Sequence, residues 1–151
     1  MHLTTTDGAE LHYEDSGVGA PLLLLHGLTG TGGDWIHAFD LAALRARYRV
    51  IAPDARGHGR STSSSGTFTF QRCALDVIEL LDHLGLPRVL AVGASLGAKT
   101  LLHLATAAPE RVEAMVLASA APRFPEATRA MFRPAGADRL RYPCGRPAGL
   151  E

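Results

Sequence analysis

Four short apolar runs recur along the chain: LLLLH at 22–26, RVIAPD at 49–54, RVLAVG at 88–93 and VEAMVLAS at 112–119. Each ends at glycine, aspartate or small residues. Runs that are apolar on both faces are what a parallel sheet covered by helices on both sides requires. Between them lie patterns at helical spacing, HAFDLAALRARY (37–48), FTFQRCALDVIELLDHLG (68–85) and KTLLHLATAA (99–108). The second predicts a helix with Leu75, Ile78, Leu81 and Leu84 on one face and Gly85 as its stop. Ahead of all these, LTTT and AELHYED flank Asp7-Gly8, a strong hairpin signal. The pattern predicts an α/β, doubly wound, mostly parallel sheet of about six strands preceded by an N-terminal β-hairpin.

The periodicity stops near Phe132. From there RPAGADRLRYPCGRPAGLE is crowded with Pro, Gly and Arg and follows neither the strand nor the helix period. The expected organisation is a partial core over 1–132 and an irregular or disordered tail over 133–151. A length of 151 residues suits one domain. Fifteen Lys and Arg against fifteen Asp and Glu give zero formal charge, which removes the electrostatic argument for a nucleic acid or an anionic membrane. A small neutral or mildly polar ligand fits better. The start, MHLTTTDGAELHYED, lacks a basic segment followed by an apolar one, and PLLLL is far too short to span a bilayer, so a cytoplasmic location is expected. Cys73 and Cys144 are too few for a disulfide scaffold and lack metal-ligand spacing, so two ordinary thiols are expected and no metal.

AVGASLGAKT, residues 91–100, passes from strand through tight turn to helix, and two chemistries share that shape. Read as G-x-S-x-G, GASLG places Ser95 on a strained strand-to-helix turn with its hydroxyl above the sheet. Gly93 and Gly97 are then needed because a β-carbon at either would collide with its neighbours. Read as a phosphate loop, GASLGAKT has Ala98 where the second glycine belongs but keeps Lys99-Thr100. The following strand ends without the Asp that would hold a metal, which disfavours a P-loop nucleotide-binding protein.

Two upstream stretches decide between them. HGLTG (26–30) follows LLLL, and DARGHGRS (54–61) follows RVIAP, both as Gly-rich turns at strand ends. Together with GASLG, and in this order, they resemble the α/β-hydrolase family over about residues 3–132. The resemblance implies Ser95 as nucleophile and the backbone amides of Leu28 and Leu96 as oxyanion donors. It implies no cofactor. His26, with Gly27 and Gly30, braces the oxyanion turn, while Asp54, Arg56, Gly57, His58 and Gly59 form a structural loop tied to its neighbours.

In this family the order is Ser, then acid, then His. The one histidine after Ser95 is His103, two helical turns on and on the wrong element, and LASAAP offers no carboxylate at the alternative acid position. Glu126 and Asp138 follow no recognisable strand. The expectation is thus roughly the first half of a hydrolase, six of the usual eight strands, with a tail whose bias suits GC-rich DNA read out of frame. An open apolar edge at VEAMVLAS would invite self-association.

The functional expectation is a serine hydrolase acting on carboxylic esters or lactones through an acyl-enzyme on Ser95, impaired by the absent acid and histidine. A serine at 95 disfavours epoxide hydrolase and haloalkane dehalogenase chemistry, which resemble this pattern with an aspartate nucleophile. The alternative is a non-catalytic binding protein or gene remnant on the same scaffold.

Overall fold

A computed structural model describes residues 1–63 and 68–120; the expected tail at 133–151 lies outside the described residues. The strands are β1 (His2–Thr4), β2 (Glu10–Gly17), β3 (Ala20–Leu25), β4 (Tyr48–Pro53), β5 (Val89–Ala94) and β6 (Val112–Ala118). The helices are α1 (Leu41–Arg45), α2 (Phe70–His83) and α3 (Leu96–Ala107), with 3₁₀ turns at Gly32–His37 and Pro109–Arg111. They build one sheet in the order β1-β2-β4-β3-β5-β6. β1 and β2 form the antiparallel hairpin around Asp7-Gly8, β2 pairs antiparallel with β4, and the four strands from β4 to β6 are parallel.

Period-two alternation sends successive strand residues into two different cores. Leu23, Leu25, Ile51, Val89 and Ala91 pack with Ala74, Val77, Leu80 and Leu81 of α2 and Leu101 and Leu104 of α3. Leu22, Leu24, Val50 and Ala52 face the other way, against Trp35, Leu41 and Leu44. Both faces of β3 are therefore dry, which is why that strand tolerates four consecutive leucines.

The helix patterns need two corrections. Leu75 is 45% exposed, and the buried face of α2 is Cys73, Ala74, Val77, Leu80 and Leu81. A row of residues spaced by three slips backward around the helix, so over nine residues it turns through about 180°, and Leu75 and Leu84 end on opposite sides. The expected helix at 37–48 is instead the 3₁₀ turn Gly32–His37 and the single turn of α1. Asp40 separates them by capping α1, its carboxylate accepting from the amides of Ala42 (3.0 Å) and Ala43 (3.1 Å). α3 begins at Leu96, directly after Ser95, as the strand-to-helix turn there predicts. The stop at Gly85 takes the form of a glycine C-cap, with φ +65° and the Leu86 amide bonding back to the Leu81 carbonyl at 2.9 Å.

A buried ion network binds the hairpin to α2. Arg56, 1% exposed, makes two bonds to Asp76 (2.7 and 2.6 Å) and two to Asp7 in the hairpin turn (3.0 and 3.2 Å). Arg72 joins it through Asp76 at 3.0 Å and through Glu79, whose carboxylate also accepts from the Thr6 amide at 2.7 Å. The hydrogen bonds from Arg56 and Thr5 hold the Asp7 carboxyl well below the usual carboxylate range.

Candidate active site

All three motif turns lie at the carboxyl ends of parallel strands, where open α/β sheets bind ligands. Ser95 is the single residue between β5 and α3, with φ 49° and ψ −100°. Left-handed φ at a non-glycine residue stores strain, and the surroundings enforce it here. The Ser95 amide donates to the Ala118 carbonyl at the end of β6 (2.8 Å), and its own carbonyl accepts from the Lys99 amide (3.1 Å). The side chain is exposed.

Both flanking glycines are sites of close approach. A β-carbon on Gly93 would lie 2.6 Å from the Gly97 carbonyl carbon, and one on Gly97 would run into the Leu25 backbone. The Gly97 amide donates to the His26 carbonyl at 3.0 Å, joining the serine turn to the HGLTG turn. In that second turn Gly27 sits next to Ser95: a β-carbon built on it would be 3.8 Å from the Ser95 Cβ. The Gly30 amide closes the turn by donating to the Gly27 carbonyl at 3.0 Å.

His26 is 5% exposed and both its nitrogens are engaged. The Ala55 amide can only donate, so Nε2 accepts from it (2.9 Å) and Nδ1 carries the proton, donating to the Gly27 carbonyl (2.6 Å). Burial lowers its pKa, which favours this neutral ring. Asp54 accepts from the Gly32 amide (2.7 Å) and the Arg60 amide (2.9 Å), holding the DARGHGRS loop against the start of the 3₁₀ turn. Gly57 and Gly59 have φ of +69° and +53°, and a β-carbon on Gly59 would strike the Asp54 carboxylate. His58 reaches across to the HGLTG turn, its Nε2 2.6 Å from the Leu28 carbonyl.

Among the described residues no histidine nitrogen hydrogen-bonds the Ser95 hydroxyl. The His103 ring stacks on Phe70 of α2, with centroids 5.9 Å apart and planes 6° from parallel. Glu126 and Asp138 lie outside the described residues. The phosphate-loop reading fails on geometry, because α3 starts directly after Ser95 and leaves no loop of amides to wrap a phosphate. The Lys99 ammonium lies 5.4 Å from the centre of the Phe70 ring, and burial lowers its pKa. Among the described residues no cluster of three or more His, Cys, Asp or Glu could hold a metal. None of the described helices is long and apolar enough to cross a membrane.

Beneath the serine turn lies a cavity of about 30 Å³, whose lining includes His26, Asp54, Cys73, Leu96 and Thr100 but not Ser95. Burial pushes the Cys73 thiol up to about 12, so it stays protonated and inert.

Several supporting residues escape a reading of the sequence. Gly32 lets the 3₁₀ turn approach the Ala52 carbonyl too closely for any β-carbon, and Ser61 both accepts from the His12 amide (2.8 Å) and donates to the Asp54 carbonyl (2.8 Å). The glycine pair at 32–33 was the available signal for the first, and Ser61 closes the DARGHGRS stretch already singled out by its sequence.

Residues 20–150 match a family described as alpha/beta hydrolase fold. The chain is 36% identical over 121 residues to the non-heme haloperoxidase of Rhodococcus erythropolis, covering 80% of this chain and 44% of that protein. A crystal structure of a hydrolase from Pseudomonas aeruginosa PA01 superposes with a TM-score of 0.79 at 37% identity, covering 85% of this chain and 49% of that one. The structure of Est816, an N-acyl homoserine lactone degrading enzyme, superposes with a TM-score of 0.74 at 31% identity, covering 87% of this chain and 51% of that one. The chain thus spans less than half the length of the first curated relatives it matches.

Proposed function

The chain belongs to the α/β hydrolase fold family, and on that premise we propose that it carries the nucleophilic part of a serine hydrolase acting on carboxylic esters or lactones. One observation carries the reading: Ser95 is held at φ 49° on a strand-to-helix junction with its side chain exposed and the Gly27 turn beside it. The lactone-degrading activity in the description of Est816 supports that substrate class.

In this reading the Ser95 oxygen attacks the substrate carbonyl, and the carbonyl oxygen gathers negative charge as the tetrahedral intermediate forms. The amides of Leu28 and Leu96 receive that charge, aided by the N-terminus of α3. Collapse of the intermediate expels the alcohol, and water later releases the acyl group from Ser95. A histidine that takes the Ser95 proton and a carboxylate that orients it complete the chemistry in whole serine hydrolases. Without those two groups the oxyanion hole and binding alone support a residual acceleration of about 10³ to 10⁴ over water.

The test is hydrolysis of an activated aryl ester by the full chain and by Ser95→Ala. We expect the full chain to hydrolyse the ester faster than Ser95→Ala, which keeps only what binding and the oxyanion turn supply. Equal rates would instead favour a non-catalytic binding protein, a reading motivated by the absence, among the described residues, of a histidine bonded to Ser95.

The reading extends to self-association of the chain. Among the described residues the outer edge of β6 is unpaired, and Met115 (37%) and Val116 (61%) are exposed there. A bare apolar edge recruits further strands. Val116→Lys is expected to shift sedimentation toward monomer, and an unchanged profile would exclude β6 as the contact.

A further inference from the structure

We propose that His58 is a positioning residue for the oxyanion turn, acting through the peptide that follows Leu28; this rests on the reading of Ser95 and Leu28 given above. The Gly30 amide bonds the Gly27 carbonyl at 3.0 Å, so Gly27–Gly30 is a β-turn with Leu28 and Thr29 at its centre. The weak point of such a turn is its central peptide, here Leu28–Thr29, whose rotation interconverts the two common turn types. The type with the carbonyl reversed needs positive φ at the third residue. Among the described non-glycine residues only Ser95 and Ser119 have positive φ, so Thr29 holds the other form.

His58 fixes that form. The Leu28 carbonyl can only accept, so the contact of 2.6 Å requires the proton on Nε2 and makes His58 the donor. Nδ1 faces a second carbonyl, that of Arg56, at 3.0 Å, which leaves the ring no outward lone pair with which to serve as a base. The ring itself is clamped, 7% exposed, with its centre 5.3 Å from that of His26 and 5.9 Å from that of Phe68.

His26 holds the preceding peptide in the same way, through the Gly27 carbonyl. Two neighbouring rings therefore pin two consecutive peptides, one on each side of the Leu28 α-carbon. The Leu28 N–H lies in the first of these peptides, opposite the Gly27 carbonyl that His26 holds, while the second, held by His58, fixes ψ of Leu28 and with it the turn that carries that N–H. Polarisation of the carbonyls along such a hydrogen-bonded chain also strengthens the adjoining N–H donors.

The test compares His58→Phe, which keeps a flat ring between His26 and Phe68 but has no donor, with His58→Gln, which restores an N–H. Two readouts on the full chain are used. The first is amide hydrogen exchange by NMR at Gly30, whose bond to the Gly27 carbonyl closes the turn. The second is the rate at which an aryl phosphonate, a tetrahedral oxyanion mimic, labels Ser95, with its affinity measured separately. In His58→Phe we expect exchange at Gly30 to rise by about tenfold, labelling to slow by about tenfold at unchanged affinity, and His58→Gln to recover most of both. Unchanged exchange in His58→Phe, or equal defects in the two variants, would overturn the role as donor. Should the unsubstituted chain and Ser95→Ala both resist labelling, the nucleophile reading fails, and the exchange measurement alone decides whether His58 holds the turn.

Discussion

Gly97→Ala is expected to destabilise the fold by about 3 kcal/mol, at the upper end of the range for overpacking, and to lower the melting temperature by on the order of 10 °C. The added β-carbon would meet the carbonyl oxygen, carbonyl carbon and Cβ of Leu25. None of these can retreat, because β3 is hydrogen-bonded on both sides, to β4 and to β5, and its side chains fill both cores. Gly85→Ala supplies the control. Gly85, unlike Gly97, has positive φ, +65°, yet a β-carbon there meets nothing within 4 Å. Its cost should stay near 1 kcal/mol, the price of backbone strain alone. Circular-dichroism melts of the two variants separate steric contact from conformational preference. Equal losses would mean that the approach of α3 to β3 is looser than described.

The second large effect is expected from Arg56→Met. It removes both of the bonds that Arg56 makes to Asp76, whose side chain is 6% exposed, and leaves Arg72 as that carboxylate's remaining cation. Breaking one side of a buried pair costs about 3 kcal/mol or more. The double change Arg56→Met with Asp76→Leu should recover much of the loss, since it removes the stranded charge with its partner. Acid titration gives an independent check. The Asp7 pKa is depressed in the folded state, so its contribution is present above the unfolded value near 4 and is lost as pH falls through the lower folded one. Arg56→Met should therefore flatten the decline of stability between about pH 5 and pH 2. A decline as steep as in the unsubstituted chain would assign acid sensitivity to other carboxylates.

The layout of the sheet was legible because its cause is local. LLLLH, RVIAPD, RVLAVG and VEAMVLAS each announce a strand through an apolar run and a small or polar stop. Asp7-Gly8 announces the hairpin in the same way. The helix errors are local as well. Leu75 belongs to a row spaced by three, which drifts around the helix and carries it off the face that packs on the sheet. Residues 37–48 carry helical spacing, but Asp40 is worth more as a cap than as an interior residue, so the helix starts after it.

The site was legible in the same partial sense. Ser95, Gly93 and Gly97 are named by their spacing, because a turn that tight admits few sequences. The bonds from His58 to Leu28, 30 residues away, and from Ala55 to His26, 29 residues away, have no local signature. They exist only once β3 and β4 lie side by side and bring their terminal turns together.

The bond from the Ser95 amide to the Ala118 carbonyl ties the strain of the serine turn to β6, the outermost of the described strands. A left-handed serine costs about 1–3 kcal/mol, and that tension is held in place partly by β6. Edge strands open more readily than central ones. Each excursion of β6 away from β5 would release the serine to relax, so the fraction of molecules with φ near 49° can be no larger than the fraction with β6 docked. The amide proton of Ser95 is thus a gauge of that conformation, and whatever clamps β6 sets how often the turn is held.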